Sequence, residues 1–465
     1  MTTKKSNSLN TINIINSSGL NKKDYTVWVA GFIQAKAAGE FYLLNEDGSF
    51  TSSSQKATRT KFYNVDTCNS IAVPDVTNYG NNRLFFTVTT GTTAPDDYYI
   101  DGYTAYPFKN APGVCPPGPY DIFEFGPNAQ YDVSAVDSFG LNLSFTVEND
   151  ALTYGVRPSV ARQKITTAFN TYSETDPYGS HFKHLLYTSP TGDNYPEIID
   201  NQFSAIVSPK DWLAIYPDDK HLHGYWDTTT DSVFTDGNEL NFYLNGATVG
   251  NYSGKCHKGI YTLTGPKVGK DQKPIVIQIP KTDFTGVKPF LQAVRAKNGN
   301  ETGEEYAAFG QIEAALFEAF SRGVVLDGVI NEDVKARLKK DSKSVTDYSS
   351  NAWINTDNWY SNHANALNGN ASVYDGYAKF FHTCEVDQKV EIDPKGEIHK
   401  KKTEEKEEPI FGQNSAKLFN MAYGFSLDEN PNVGDAAWPA SKNVPAKTPN
   451  NIGDQTVTIT IGPWS

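Results

Sequence analysis

A chain of 465 residues exceeds the roughly 100–200 residues of one ordinary domain and suits two or three. Its formal net charge of −13 and pI near 5.1 exclude a nucleic-acid backbone or an anionic membrane as the main partner, since both repel such a surface, whereas a neutral polysaccharide does not. Aromatics at 13% beside a modest hydrophobic fraction of 38%, with 36 Gly and 25 Pro, favour a loop-rich, mainly β protein.

The N-terminal "MTTKKSNSLNTINIINSSGL" carries two lysines but no continuous apolar stretch after them, so it does not read as a secretory signal. On that ground the chain stays in the cytoplasm, leaves by another route, or begins after a removed leader. No apolar run approaches the roughly 20 residues of a membrane span. From about residue 11 to 150 short strands follow one another: "YTVWVAGF" (25–32), "GEFYLLNEDGSF" (39–50) with a hairpin turn at its EDG, "NRLFFTVTTG" (82–91), and "PYDIFEFGPNAQYDVSAVDSFGLNLSFTV" (119–147). Val27 and Val29 alternate with Trp28, and Phe85 with Phe86, as in a sandwich of antiparallel strands. This is one β domain, and the alternating "QTVTITIGPW" (455–464) is a candidate to join it as a closing strand.

A second, mixed α/β domain spans 151–454. "RPSVARQKITTAFN" (157–170) has helical spacing, with Ser159 as the N-cap and Val160, Ile165 and Phe169 on one side. The clearest helix is 303–323, where Phe309, Ile312, Leu316 and Phe320 form a core stripe and Gly323 offers a stop. Residues 387–409 read as a charged insertion with a hairpin at Asp393-Pro394-Lys395-Gly396.

The four cysteines, Cys68, Cys115, Cys256 and Cys384, form no C-x-x-C pair; they allow two disulfides in three connectivities, or four free thiols. His221 and His223 of "HLHGYW" would share one side of a strand, but without a third ligand they read as ordinary hydrogen-bonded histidines, and no metal or organic cofactor is expected. No G-x-S-x-G elbow or phosphate-binding loop is present, which leaves acyl transfer and nucleotide hydrolysis without their usual signals.

Glycosidic hydrolysis needs a protonated acid on the leaving oxygen and a second carboxylate. Residues 119–147 offer Asp121, Glu124, Asp132 and Asp137. A hairpin centred between Gln130 and Tyr131 would set Glu124 opposite Asp137, with Cβ atoms roughly 5 Å apart. Phe123 and Phe125 flank Glu124, and desolvation by them favours the protonated form a general acid needs. Asp121 and Asp132 read as ordinary turn and edge charges.

"YTVWVAGFIQAKAAGEFYLLNEDGSF", "NRLFFTV" and "FEFGPNAQYDVSAVDSFGLNL", followed by "AALFEAFSRGVV", "GYAKFFH", "MAYGFSLDE" and the terminal "VTITIGPW", resemble in order the segments of glycoside hydrolase family 64. The resemblance implies a thaumatin-like β-sandwich or barrel domain plus a mixed α/β domain, forming a wide cleft for a β-1,3-glucan chain. It also implies inverting endo-hydrolysis of that glucan, with Glu124 of "EF" as general acid and Asp137 of "VDSFG" as general base. Asn128, Tyr131, Ser134, Tyr377, Lys379 and His382 fall on positions expected to face or support the sugar. Secretion is the family's habit, at odds with the missing leader. The connection between the acids is shorter than the family's, and Gly126-Pro127 replaces a more polar pair. A non-enzymatic glucan-binding, defence or storage protein on the same scaffold is the alternative.

Overall fold

The computed structural model describes residues 8–34, 41–53, 59–74, 82–96, 98–99, 118–126, 131–135, 137–150, 153–156, 158, 160–187, 205–244, 248–291, 297, 301–343, 345, 348–353, 358–360, 372–383, 390–392, 398–400, 423–424 and 452–465. The first strands are β1 (Ser8–Asn16), β2 (Tyr25–Gln34), β3 (Phe41–Leu44), β4 (Phe50–Ser53), β5 (Ser70–Pro74), β6 (Asn82–Thr90), β7 (Tyr120–Phe125), β8 (Asp132–Ser134), β9 (Leu143–Val147) and β10 (Thr153–Gly155). One sheet runs β8-β7-β6-β2-β3-β4, extended beyond β8 by Tyr423–Gly424. A second runs β10-β9, then the C-terminal strand Val457–Ile461, then β1-β5. The closing strand thus pairs parallel with β1 and antiparallel with β9.

The alternation seen in the sequence sorts side chains between two clusters. Val27, Val29, Phe86 and Phe123 enter the main core, where Ile12, Ile14, Phe145 and Ile459 of the second sheet join them. Trp28, Phe32, Phe85 and Ile122 point the other way and form a separate buried cluster. Both faces of the larger sheet are therefore covered, which explains strands apolar at nearly every position.

Helix α1 (Arg162–Thr175) begins three residues later than the predicted cap, Ser159, which lies outside the described residues; its N-cap is Ala161, with no side-chain bond. The C-terminus of the chain substitutes for a capping side chain. The amides of Arg162 and Gln163 donate to the carbonyls of Pro463 and Trp464 at 2.9 and 3.0 Å, satisfying donors a helix start leaves open. Helix α2 (Pro209–Ile215) has Ser208 as N-cap, its hydroxyl accepting from the Asp211 amide.

Four antiparallel strands between Glu239 and Pro280 form a further sheet. Helix α3 (Gly303–Ser321) packs near it and carries a full capping box of Thr302 and Glu305. Its stripe of Phe309, Ile312, Leu316 and Phe320 is fully buried, and Gly323 takes the left-handed φ of 71° that ends such helices. Helix α4 (Gly376–Thr383) follows. In the charged insertion Val390–Ile392 pairs antiparallel with Ile398–Lys400, and the predicted turn between them lies outside the described residues. The molecule is thus mostly β sheet with some helices.

Candidate active site

The ladder between β7 and β8 pairs Glu124 with Asp132, not with Asp137. This corrects the predicted hairpin: the pairing is centred further toward the N-terminus, so β8 ends at Ser134 and Asp137 stands beyond it, where the chain bends. Because cross-strand partners share a face, Asp132, Glu124 and Arg83 of β6 form one row across the sheet. Asp132 is 3% exposed and Asp121 1% exposed, so neither is the surface charge expected.

Asp121 faces the main core side, where its carboxylate accepts the amides of Ile122 (3.1 Å) and Leu141 (3.4 Å). Burial pushes its carboxyl well above the usual range. The same burial lowers the Arg162 guanidinium to about 9, with the charge of Asp121 working in the opposite sense. Arg162 Nε donates to the Gly140 carbonyl at 2.5 Å, and the guanidinium lies 4.5 Å from the Trp464 ring centroid. Gly140 permits the close approach to β7: a Cβ there would sit 2.2 Å from the Tyr120 carbonyl oxygen.

Glu124 Oε1 meets Arg83 Nη2 at 2.5 Å, and its side chain keeps 23% of its exposure. Burial raises its carboxyl above the ordinary range; Arg83 pulls it down, the charge of Asp137 pushes it up again, and Lys210 opposes that rise. Asp137 therefore lies within electrostatic reach of Glu124. Its Oδ1 accepts from Lys210 Nζ at 3.1 Å, and its backbone carbonyl accepts from the Ser208 amide at 2.9 Å.

Lys210 also stands 3.9 Å from Asp211 Oδ1. The Asp211 carboxyl is pushed up to about 8, by burial first and by Asp137 second, against the pull of Lys210. Burial works against the Lys210 charge, yet Asp137 and Asp211 outweigh it and its pKa rises. Three carboxylates, Glu124, Asp137 and Asp211, thus share two cations, Arg83 and Lys210. One carboxyl of the cluster is left without a compensating cation, and burial favours keeping it protonated.

Arg83, Lys210 and Asp211 were not singled out from sequence. Arg83 left a signal, being the one charge in "NRLFFTV". Ser208-Pro209 with Asp211 three residues after the serine reads as a helix start, but nothing local tells where its lysine reaches.

The predicted sugar-facing residues fare unevenly. Tyr131 is fully buried between Phe123 and Phe125, and its hydroxyl accepts from Asn10 Nδ2 at 2.7 Å, so it packs the core and is out of reach of a sugar. Tyr377 is also buried; its hydroxyl donates to the Ala135 carbonyl at 2.6 Å, two residues before Asp137. Lys379 points to Asp176 Oδ2 at 2.5 Å and lies 2.7 Å from the Tyr374 hydroxyl, away from the cluster of carboxylates. Asn128 and the side chains of Ser134 and His382 lie outside the described residues.

His221 and His223 sit in a turn, not a strand; His181 Nδ1 donates to the His221 carbonyl at 2.8 Å, and the His221 ring stacks on His184. Among the described residues no three His, Cys, Asp or Glu side chains converge as a metal site. Cys68 and Cys256 are buried and free, while Cys115 and Cys384 lie outside the described residues.

A family model for β-1,3-glucanases, glycoside hydrolase family 64, matches residues 117–401, more than half of the chain. The chain belongs to glycoside hydrolase family 64. It is a glycosidase of the β-1,3-glucanase kind, and the matched span includes Glu124, Asp137, Lys210 and Asp211. The family 64 domain of a β-1,3-glucanase from Clostridium beijerinckii superposes with a TM-score of 0.55 at 13% identity, over 98% of each chain. A laminaripentaose-producing β-1,3-glucanase, solved in complex with laminaritetraose, superposes with a TM-score of 0.51 at 13% identity, over 99% of each chain. At that identity the likeness is one of fold. No curated protein matches the sequence.

Proposed function

We propose that this family 64 glucanase cleaves β-1,3-glucan internally and with inversion, Glu124 acting as general acid and Asp137 as general base. The observation that carries the reading is the convergence of the end of β7 with the first turn of α2. Glu124 has a carboxyl raised by burial, as proton donation to a leaving oxygen needs. Asp137 reaches the same place from a separate bend, with one oxygen on Lys210.

Inversion needs room for a water between the carboxyls, about 6.5–9.5 Å. The ladder supports such room, because Asp137 is not the cross-strand neighbour of Glu124. The glucan chain would lie in a cleft between a thaumatin-like β domain and a mixed α/β domain, with Asn128, Ser134 and His382 on its walls. Tyr377 would act from behind, holding the strand that leads to Asp137. The water adds to the anomeric carbon and yields its proton to Asp137 while the glycosidic bond breaks and the leaving oxygen takes the proton of Glu124.

The test incubates the protein and its Glu124→Gln variant with a soluble β-1,3-glucan and follows oligosaccharides and their first-formed anomer. Expected are α-anomers from the unmodified protein and a loss of about 100-fold or more in the variant, the range for a removed general acid. Equal release by both would move the acid elsewhere, and β-anomers formed first would refute inversion.

A further inference from the structure

Asp137 is held at three points by elements from other parts of the chain. Its carbonyl accepts from the Ser208 amide, its Oδ1 from Lys210 Nζ, and the carbonyl of Ala135 just before it takes the Tyr377 hydroxyl. Two of the three come from the first turn of α2 and its cap. Lys210 is itself fixed: it stands between Asp137 at 3.1 Å and Asp211 at 3.9 Å. The Asp211 backbone in turn donates to Ser208 Oγ at 3.2 Å.

Of the two carboxylate oxygens of Asp137, Oδ1 alone has a hydrogen-bond partner among the described residues. We propose that Lys210 is a positioning residue for this base: its ammonium grips Oδ1 so that Oδ2 is left for the attacking water. The proposal rests on the reading of Asp137 as the base. In the step, the water oxygen bonds to the anomeric carbon, its proton passes to Oδ2, and Lys210 neither gains nor loses a proton.

The charge of Lys210 has a second effect. Asp137 is within reach of Glu124 and Asp121 on β7, Asp211 on α2 and Tyr377 on α4, and Arg83 faces Lys210 from β6. Three of these groups are acids. The ammonium therefore also screens the base from its acidic neighbours, so its loss disturbs the placement of Oδ2 as well as the grip on Oδ1.

The experiment measures kcat and KM on soluble β-1,3-glucan for the unmodified protein and for Lys210→Met, Lys210→Arg and Asp137→Asn, with thermal melts of each. Lys210→Met is expected to lower kcat by about tenfold or more with KM within about twofold. Lys210→Arg is expected to restore kcat. Should the methionine variant not fold, Lys210→Gln, which keeps a donor but drops the charge, carries the same kcat-against-KM test.

An unchanged kcat, a loss carried by KM instead of kcat, or a kcat loss that only follows a lowered melting temperature overturns the role of Lys210. These outcomes leave the base standing if Asp137→Asn is inactive. An Asp137→Asn variant as active as the unmodified protein, or no release by the unmodified protein, overturns the base assignment and this inference with it.

Discussion

Glu124 and Asp137 reach the same place by different means. Glu124 is set by a wide sheet: β7 lies between β6 and β8, and the row Asp132, Glu124, Arg83 follows from ladder register alone. Asp137 is set by the later part of the chain. Ser138–Phe139, immediately after it, pairs with Ile206–Val207, and Phe139 packs on Phe381 of α4. Arg162 holds Gly140 and Lys210 holds the carboxylate. A sheet fixes one carboxylate rigidly, while the other depends on contacts that form only when distant segments have folded onto it.

The contrast predicts that damage to the later segments harms the Asp137 side first. Arg162→Ala removes the bond to Gly140 and the stacking on Trp464 and leaves Asp121 without a facing cation; a loss of about 3–5 kcal/mol is expected in chemical denaturation. Lys379→Met strands Asp176 beside Tyr374 and should cost about 3 kcal/mol by the same measurement, with KM for glucan unchanged. A raised KM would return Lys379 to the sugar site.

Tyr131→Phe gives up one buried hydrogen bond to Asn10, about 1 kcal/mol, and leaves KM unchanged. On the Glu124 side the expected effect is electrostatic. Arg83→Met removes a cation that favours the ionised acid, so the alkaline limb of kcat/KM should move to higher pH; a shift downward would mean that Arg83 does not act on the acid.

A further effect concerns stability and pH. The Asp211 carboxyl stands at about 8 in the folded protein against the 3.8 of an ordinary aspartate. The folded state therefore holds a proton that the unfolded chain releases, and this contribution is full below about pH 4 and is lost as pH rises through about 8. Asp211→Asn should flatten the decline across that window, visible as a stability difference from the unmodified protein that grows with pH.

Much of this was legible in the chain. The strands at 25–32, 39–50 and 82–91, the helix at 303 with its Gly323 stop and the closing strand followed from periodicity and turn residues, because those signals are local. The pairing register of β7 was not, since centring a hairpin by counting between two acids ignores which residues the connection consumes. Burial of Asp121 and Asp132 was hidden too: a carboxylate inside a strand looks the same in sequence whether water or backbone amides surround it. Lys210 lies 73 positions from Asp137, and its neighbours in the sequence describe only a helix start.

The strand Val457–Ile461 lies between β1 and β9, with Ile12 opposite Val457 on one side and Val147 opposite Val457 on the other. During synthesis, β1 and β9 must therefore wait with open edges until residues 457–461 have been made. Those edges are templates for pairing with another molecule. A chain interrupted before residue 457 is a glucanase whose second sheet lacks its middle strand, so Val457–Ile461 decides between folding and aggregation.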